Sequence, residues 1–181
     1  MSDLTAVRTY LETLQDTICD ALENEDGSAR FDCREILRDG GGVSRPRVLS
    51  DGSAIERTAV HYSHTVGKQL PPAASERRPE LTGGAYEAAS VSLIVHPRNP
   101  YVPTAHANFR VFSAQPQAGG ESVWWFGGGF DLTPYYGFEE DVVHWHRTAR
   151  DACDPFGAEL YPTGYIFVIL TKICNLPFTE D

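Results

Sequence analysis

The chain has 181 residues, 41% of them hydrophobic and 22% charged, with a formal net charge of −10. That composition fits one globular domain with a sizeable core and excludes a disordered chain. It also excludes a general nucleic-acid binder, which would carry a basic face, so any anionic ligand must be held by local arginines. The first turns carry Asp3, Arg8 and Glu12 with no apolar h-region, so no signal peptide is expected. The longest apolar run, 165–170, is far too short to span a bilayer. Cys19, Cys33, Cys153 and Cys174 show no Cys-x-x-Cys spacing. Scattered thiols of this kind fit a reducing cytoplasm better than a disulfide or zinc framework.

Leu4, Val7, Leu11, Leu14, Ile18 and Leu22 recur at three- and four-residue steps and predict an amphipathic helix, capped by Ser2 or Asp3 and stopped by Asp26-Gly27. From Arg30 to Phe130 the pattern is that of strands. Asp51-Gly52 between 43–49 and 54–62 is a hairpin signal. A long loop containing Pro71, Pro72, Pro79, Gly83 and Gly84 follows, then strands over 86–95, 105–114 and 122–126, the last two joined at Gly119-Gly120. Phe138, Val142, His146, Ala149 and Cys153 predict a second helix, with Glu139, Glu140 and Asp141 at its N-terminal end and Arg147 and Arg150 near the other, as the helix dipole favours. Asp154-Pro155 and Gly157 end it. A helix, a run of strands joined by short turns and a helix make an α+β fold on an antiparallel sheet.

All six histidines lie between positions 61 and 146. His96 ends one strand and His106 begins the next, so their rings could face each other, subject to register. His106, Asn108 and Arg110 alternate and share one face, with Phe109 and Val111 on the other; Ser92, Ile94 and His96 share a face of the neighbouring strand. An arginine that forks onto carboxylates, an amide and a serine that orient, and an imidazole that moves protons suit a ligand with carboxylates. A half-exposed antiparallel sheet shows the same alternation with no function at all, and spacing does not separate the two. Gly127-Gly128-Gly129 imply a bend or a flat ligand against the backbone, because three glycines are costly in a strand. Asp131 follows as either a hydrogen-bond acceptor for ligand N–H groups or a helix-capping residue. His144-x-His146 cannot present both rings on one side of a helix, so it is no zinc-protease pair. His146 falls on the apolar stripe, where a lone histidine is more often a hydrogen-bonded core residue than a ligand. His61-Tyr62-Ser63-His64, and Gly40-Gly41-Gly42 with Arg45 and Arg47, are further candidates, the arginines reading most simply as a solvated basic edge.

Read together, SVSLIVHPRNPYVPTAHANFR (residues 90–110) and VWWFGGGFDLTPYYGFEEDVVHWHRTARD (residues 123–151) closely resemble oxygen-dependent coproporphyrinogen III oxidase. LQDTIC (14–19), RVL (47–49) and RRPEL (77–81) agree, and the resemblance covers about residue 4 to Pro162. It implies a large, flat antiparallel sheet covered by helices on both faces, assembled as a homodimer. It implies oxidative decarboxylation of two propionates of coproporphyrinogen III to vinyls, giving protoporphyrinogen IX in haem synthesis, with molecular oxygen as oxidant and no flavin, haem or nicotinamide. By the resemblance Ser92 and Asn108, Phe109 and Arg110 match substrate-binding positions and His106 the proton donor. Asp131 matches a carboxylate that contacts pyrrole N–H groups. His96, His106 and His146 match three histidines described as divalent-metal ligands, a metal requirement being disputed in the family.

After Tyr161-Pro162 the resemblance stops and the chain reads TGYIFVILTKICNLPFTED. Residues 1–162 are therefore expected to form a partial copy of the family domain and 163–181 a non-family tail. The comparison leads to the expectation of a truncated chain with little or no oxidase activity. It would lack a fourth histidine of the metal set, a Gly-Gly-Arg substrate contact and the dimerisation region. A non-catalytic tetrapyrrole-binding remnant is the alternative reading, and a histidine-rich metal-binding protein unrelated to porphyrins a more distant one.

Overall fold

The computed structural model describes residues 4–38, 40–70, 78–117 and 119–161, together with the backbone of 167–170. Helix α1 (Leu4–Asp26) is followed by short strands β1 (Asp32–Cys33) and β2 (Ile36–Arg38), then β3 (Gly42–Ser50), β4 (Ile55–Gly67), β5 (Tyr86–Pro97), β6 (Thr104–Ala114) and β7 (Val123–Thr133). Helix α2 (Glu139–Cys153) and strand β8 (Phe167–Leu170) complete the order. One sheet runs β1-β3-β4-β5-β6-β7-β8, with β2 also pairing β3. Every pair up to β7 is antiparallel, and β8 joins β7 in parallel. The α+β expectation holds. Pro71, Pro72 and the capping residues Ser2 and Asp3 lie outside the described residues, as do residues 162–166 and 171–181 of the expected tail region.

The stripe on α1 meets the sheet as its spacing requires. Leu11 and Cys19 are buried against Val60, Tyr62, Ala89, Val91 and Val111, with Leu4, Val7, Leu14, Ile18 and Leu22 packed around them. Each such aliphatic side chain, fully buried, contributes about 1.5–3 kcal/mol. Polar ties fix the helix in register. The buried Gln15 amide donates to the carbonyls of Arg45 (2.6 Å) and Val60 (3.0 Å). Asp16 bridges Arg45 (3.4 Å) and Arg47. The expected solvated basic edge is thus corrected: Arg45 and Arg47 lie on the helix-covered face, 21% and 15% exposed, because a carboxylate of α1 is there to pair them.

Three strand boundaries differ from the sequence reading. β4 extends to Gly67 because its whole length is paired with β5. The Asp51-Gly52 signal makes a four-residue connection, with Asp51 at φ 59°. β7 does not end at Phe126 but continues through the glycines to Thr133, since β6 supplies a ladder partner at every step. Gly119 and Gly120, both at positive φ, turn β6 into β7 as expected.

The strand pairing assigns each side chain to a face, because residues directly opposite in antiparallel strands share one. Tyr62, His64, Val91, Phe109, Val111, Phe126 and Phe130 fall on the α1 side. Near one end the opposite face is covered by Leu70 and Leu81 over Ala114, Phe112, Tyr86, Val123 and Trp125. The rest of that face carries the polar residues singled out above.

Candidate functional site

Three cross-strand rows make up this polar face. The first contains Ala59, Ile94, His106 and Asp131; the second His61, Ser92, Asn108 and Gly129; the third Ser63, Ser90, Arg110 and Gly127. Neighbouring strands lie about 4.8 Å apart, so each row is a line of adjacent side chains. The register thus brings Ser92, His106, Asn108, Arg110 and Asp131 onto one surface from three strands.

His106 Nδ1 is 2.9 Å from Asp131 Oδ2, with the side chains 43% and 23% exposed. Asp131 is therefore a strand residue that orients an imidazole rather than the cap of α2, whose N-terminal flank Phe138 makes no side-chain capping bond. A carboxylate on Nδ1 fixes the tautomer and turns Nε2 toward whatever lies on the face. One row away, Asn108 Oδ1 is buried with no hydrogen-bond partner. A buried acceptor without a donor is costly, and a ligand N–H or O–H would satisfy it. Arg110 is exposed and has no ion-pair partner among the described residues. Its fork is available to a carboxylate.

The glycines now have a physical reason. Gly127 and Gly129 keep the strip beside Arg110 and Asn108 free of side chains; a Cβ at Gly127 would sit 3.1 Å from Arg110 Nε. Gly128 faces the other way, and its Cβ would meet the Asn108 carbonyl oxygen at 2.3 Å. A groove of about 270 Å³ runs along this face, lined by Ser63, Ser90, Asn108, Arg110, Tyr86 and Phe112 among others. Its apolar end is an aromatic ladder: Tyr86 stacks on Phe112 (6.3 Å) and Phe112 on Trp125 (5.4 Å), with the Arg78 guanidinium 4.7 Å above the Trp125 ring. Sequence reasoning missed this ladder. The adjacent Trp124-Trp125 pair hid it, because alternation sends only Trp125 to this face.

Phe109 sits on the opposite face from Asn108 and Arg110, so it can serve the same ligand only through its backbone. His96 is on the site face but its register partner is Thr104, not His106, and its Nδ1 lies 3.4 Å from Thr104 Oγ1. Both histidines stand at the ends of interior strands rather than at the sheet's edge. His146 is half-buried, not a core residue, and its Nδ1 is 2.6 Å from the Tyr161 hydroxyl. Burial, with Arg150 nearby, holds its pKa below the usual imidazole value. Among the described residues no group of three or more His, Cys, Asp or Glu side chains is placed to hold a metal ion. The residues present do not fit a resident metal, and the chemistry below uses none.

The His61-Tyr62-Ser63-His64 run divides between the faces. His64 is buried on the α1 side and paired with Glu87 at 2.8 Å, which also meets Arg8 at 3.3 Å. Tyr62 is fully buried beside it, and burial pushes its phenol up to about 12. His61 and Ser63 join the open face, and His61 Nε2 lies 2.7 Å from Ser44 Oγ.

Among the described residues no helix is long and apolar enough to cross a membrane. A family model described as coproporphyrinogen III oxidase matches residues 6–165, three residues beyond the end of the resemblance read from the motifs.

Proposed function

The chain belongs to the coproporphyrinogen III oxidase family, and from that premise we propose that the polar sheet face is the wall against which coproporphyrinogen III lies. The family indicates an oxidoreductase of porphyrin biosynthesis. The reading goes further: two propionates are converted to vinyls, yielding protoporphyrinogen IX. Each conversion releases CO2 and transfers two electrons and two protons to dioxygen, giving peroxide, with no flavin, haem or nicotinamide. The observation that carries it is the His106–Asp131 pair on one surface with Ser92, Asn108 and Arg110.

In this reading Arg110 forks onto a propionate carboxylate, and Ser92 and Asn108 orient the macrocycle, Asn108 gaining the donor it lacks. The Phe109 backbone adds to the same wall. His106, held by Asp131, gives or takes the proton at the reacting side chain. Asp131 also accepts from pyrrole N–H groups at the edge of the ring. The side-chain-free strip at Gly127 and Gly129 lets a flat macrocycle approach the backbone. A cytoplasmic homodimer belongs to the same reading.

The test separates binding from turnover. Titration with coproporphyrin III, followed by absorbance, is expected to saturate at one site and to weaken in Arg110→Ala. Oxygen-dependent CO2 release from coproporphyrinogen III reads the chemistry. Binding without release identifies a non-catalytic tetrapyrrole-binding form, and absence of binding rejects the assignment of this face.

A further inference from the structure

We propose that His61 is a further substrate-positioning residue, donating a hydrogen bond from its second ring nitrogen to a propionate carboxylate of a tetrapyrrole on the open face. The inference rests on the assignment of that face to a tetrapyrrole.

The register sets His61 opposite Ser92, and Ser92 opposite Asn108, in one continuous row across β4, β5 and β6. His61 therefore extends the candidate site by one strand, toward β3. Its Nε2 is anchored 2.7 Å from Ser44 Oγ, and Ser44 is itself 8% exposed. That is its one hydrogen bond among the described residues. When the Ser44 hydroxyl donates to Nε2, the proton of the neutral ring resides on Nδ1, and Nδ1 becomes a donor. Burial, with Arg38 nearby, lowers the His61 pKa and so favours this neutral ring. A neutral donor suits a carboxylate in a chain of net charge −10, since it binds the anion without having to hold a proton of its own.

Its neighbour in the same motif shows what a structural histidine looks like here. His64 points under α1, is buried and is neutralised by Glu87. His61 has no acidic partner among the described residues, is half-buried on the polar face, and shares a row with the unsatisfied Asn108 Oδ1. A packing role explains none of these features.

Fluorescence titration of the full chain with coproporphyrin III, which has four carboxylates, and with deuteroporphyrin IX, which has two, tests the proposal. His61→Phe fills the space but cannot donate. It is expected to weaken coproporphyrin III by about tenfold, the worth of one hydrogen bond to a charged group. It should also narrow the preference for four carboxylates over two. His61→Asn, whose amide nitrogen reaches about as far as Nδ1, should recover most of both, whereas a structural role would not discriminate between the porphyrins. Wild-type affinity and preference in His61→Phe, or an Asn variant no better than Phe, overturns the proposal. If His61→Phe does not fold, Ser44→Ala carries the test: it keeps the ring but frees it, and a severalfold loss of coproporphyrin III affinity is expected, unchanged binding being the refuting result. Arg110→Ala tells the two levels of inference apart. If Arg110→Ala weakens binding and the His61 variants do not, only the role of His61 falls. If the wild-type chain binds neither porphyrin, the assignment of the face falls with it.

Discussion

Asp131→Ala deprives the His106 imidazole of the carboxylate that holds its Nδ1 at 2.9 Å. Turnover is expected to fall by at least about a hundredfold, the usual worth of a positioned acid–base group, in an assay of protoporphyrinogen formation; near wild-type rates would remove Asp131 from the mechanism. Arg110→Ala should instead act on affinity, raising the Kd for coproporphyrin III by about ten- to a hundredfold. Arg110→Lys should recover only part of that, because a point charge cannot fork onto a carboxylate. Two neighbouring glycines should respond differently to the same substitution. At Gly127 the new methyl would sit 3.1 Å from Arg110 Nε, a flexible side chain that can give way. Gly127→Ala should fold normally and lose porphyrin affinity severalfold as Arg110 is displaced. At Gly128 the obstacle is the Asn108 backbone carbonyl at 2.3 Å, so Gly128→Ala must part β6 from β7. A drop in Tm for Gly128→Ala well beyond that of Gly127→Ala checks the distinction. The chemical identity of these residues was legible from the strings around them. What each touches was not: Asp131 suited a helix cap as well as an imidazole until pairing placed it opposite His106.

Helix α1 is held at its C-terminal end by Asp26, whose side chain accepts from Ser28 Oγ (2.7 Å) and from the backbone N–H groups of Ala29 (2.9 Å), Ala54 (3.0 Å) and Ile55 (2.9 Å). One carboxylate thereby ties the helix end to the β3–β4 connection. The Ser28 hydroxyl and these backbone donors hold its pKa far below the ordinary carboxylate range. A depressed folded-state pKa means stability that is present above the unfolded value of about 4 and is lost as pH falls below it. Urea unfolding midpoints should therefore decline from about pH 5 to pH 3, and Asp26→Asn should be less stable at neutral pH and lose much of that decline. A wild-type midpoint unchanged over this range would count against the clamp. Midway along the same helix, Gln15→Leu should cost about 1–3 kcal/mol in denaturant unfolding, because the bonds to Arg45 and Val60 are buried. The apolar stripe made α1 evident from sequence. Asp26 read only as part of a stop signal, because its partners at positions 53–55 approach it only when β4 has formed.

Across the whole molecule a net charge of −10 opposes a tetra-anionic ligand. Screening shortens the reach of that repulsion from about 30 Å at 0.01 M salt to about 8 Å at 0.15 M. Stopped-flow association of coproporphyrin III should therefore speed up as salt is raised over this range, while dissociation from the local arginine changes less; a rate that falls with salt would mean that the local cations dominate the encounter. By itself the sequence determined the α+β class, the antiparallel order of the main strands, the stripe on α1, the sharing of a face by His106, Asn108 and Arg110, and the family resemblance. These follow from periodicity and from long, unusual strings, both local properties. Tertiary structure decided which strands are neighbours and in what register. A shift of one residue would send every side chain of a strand to the other face, so only the assembled sheet could join Asp131 to His106, align His61 with Ser92 and Asn108, separate His61 from His64, and carry Arg45 and Arg47 under α1 to Asp16.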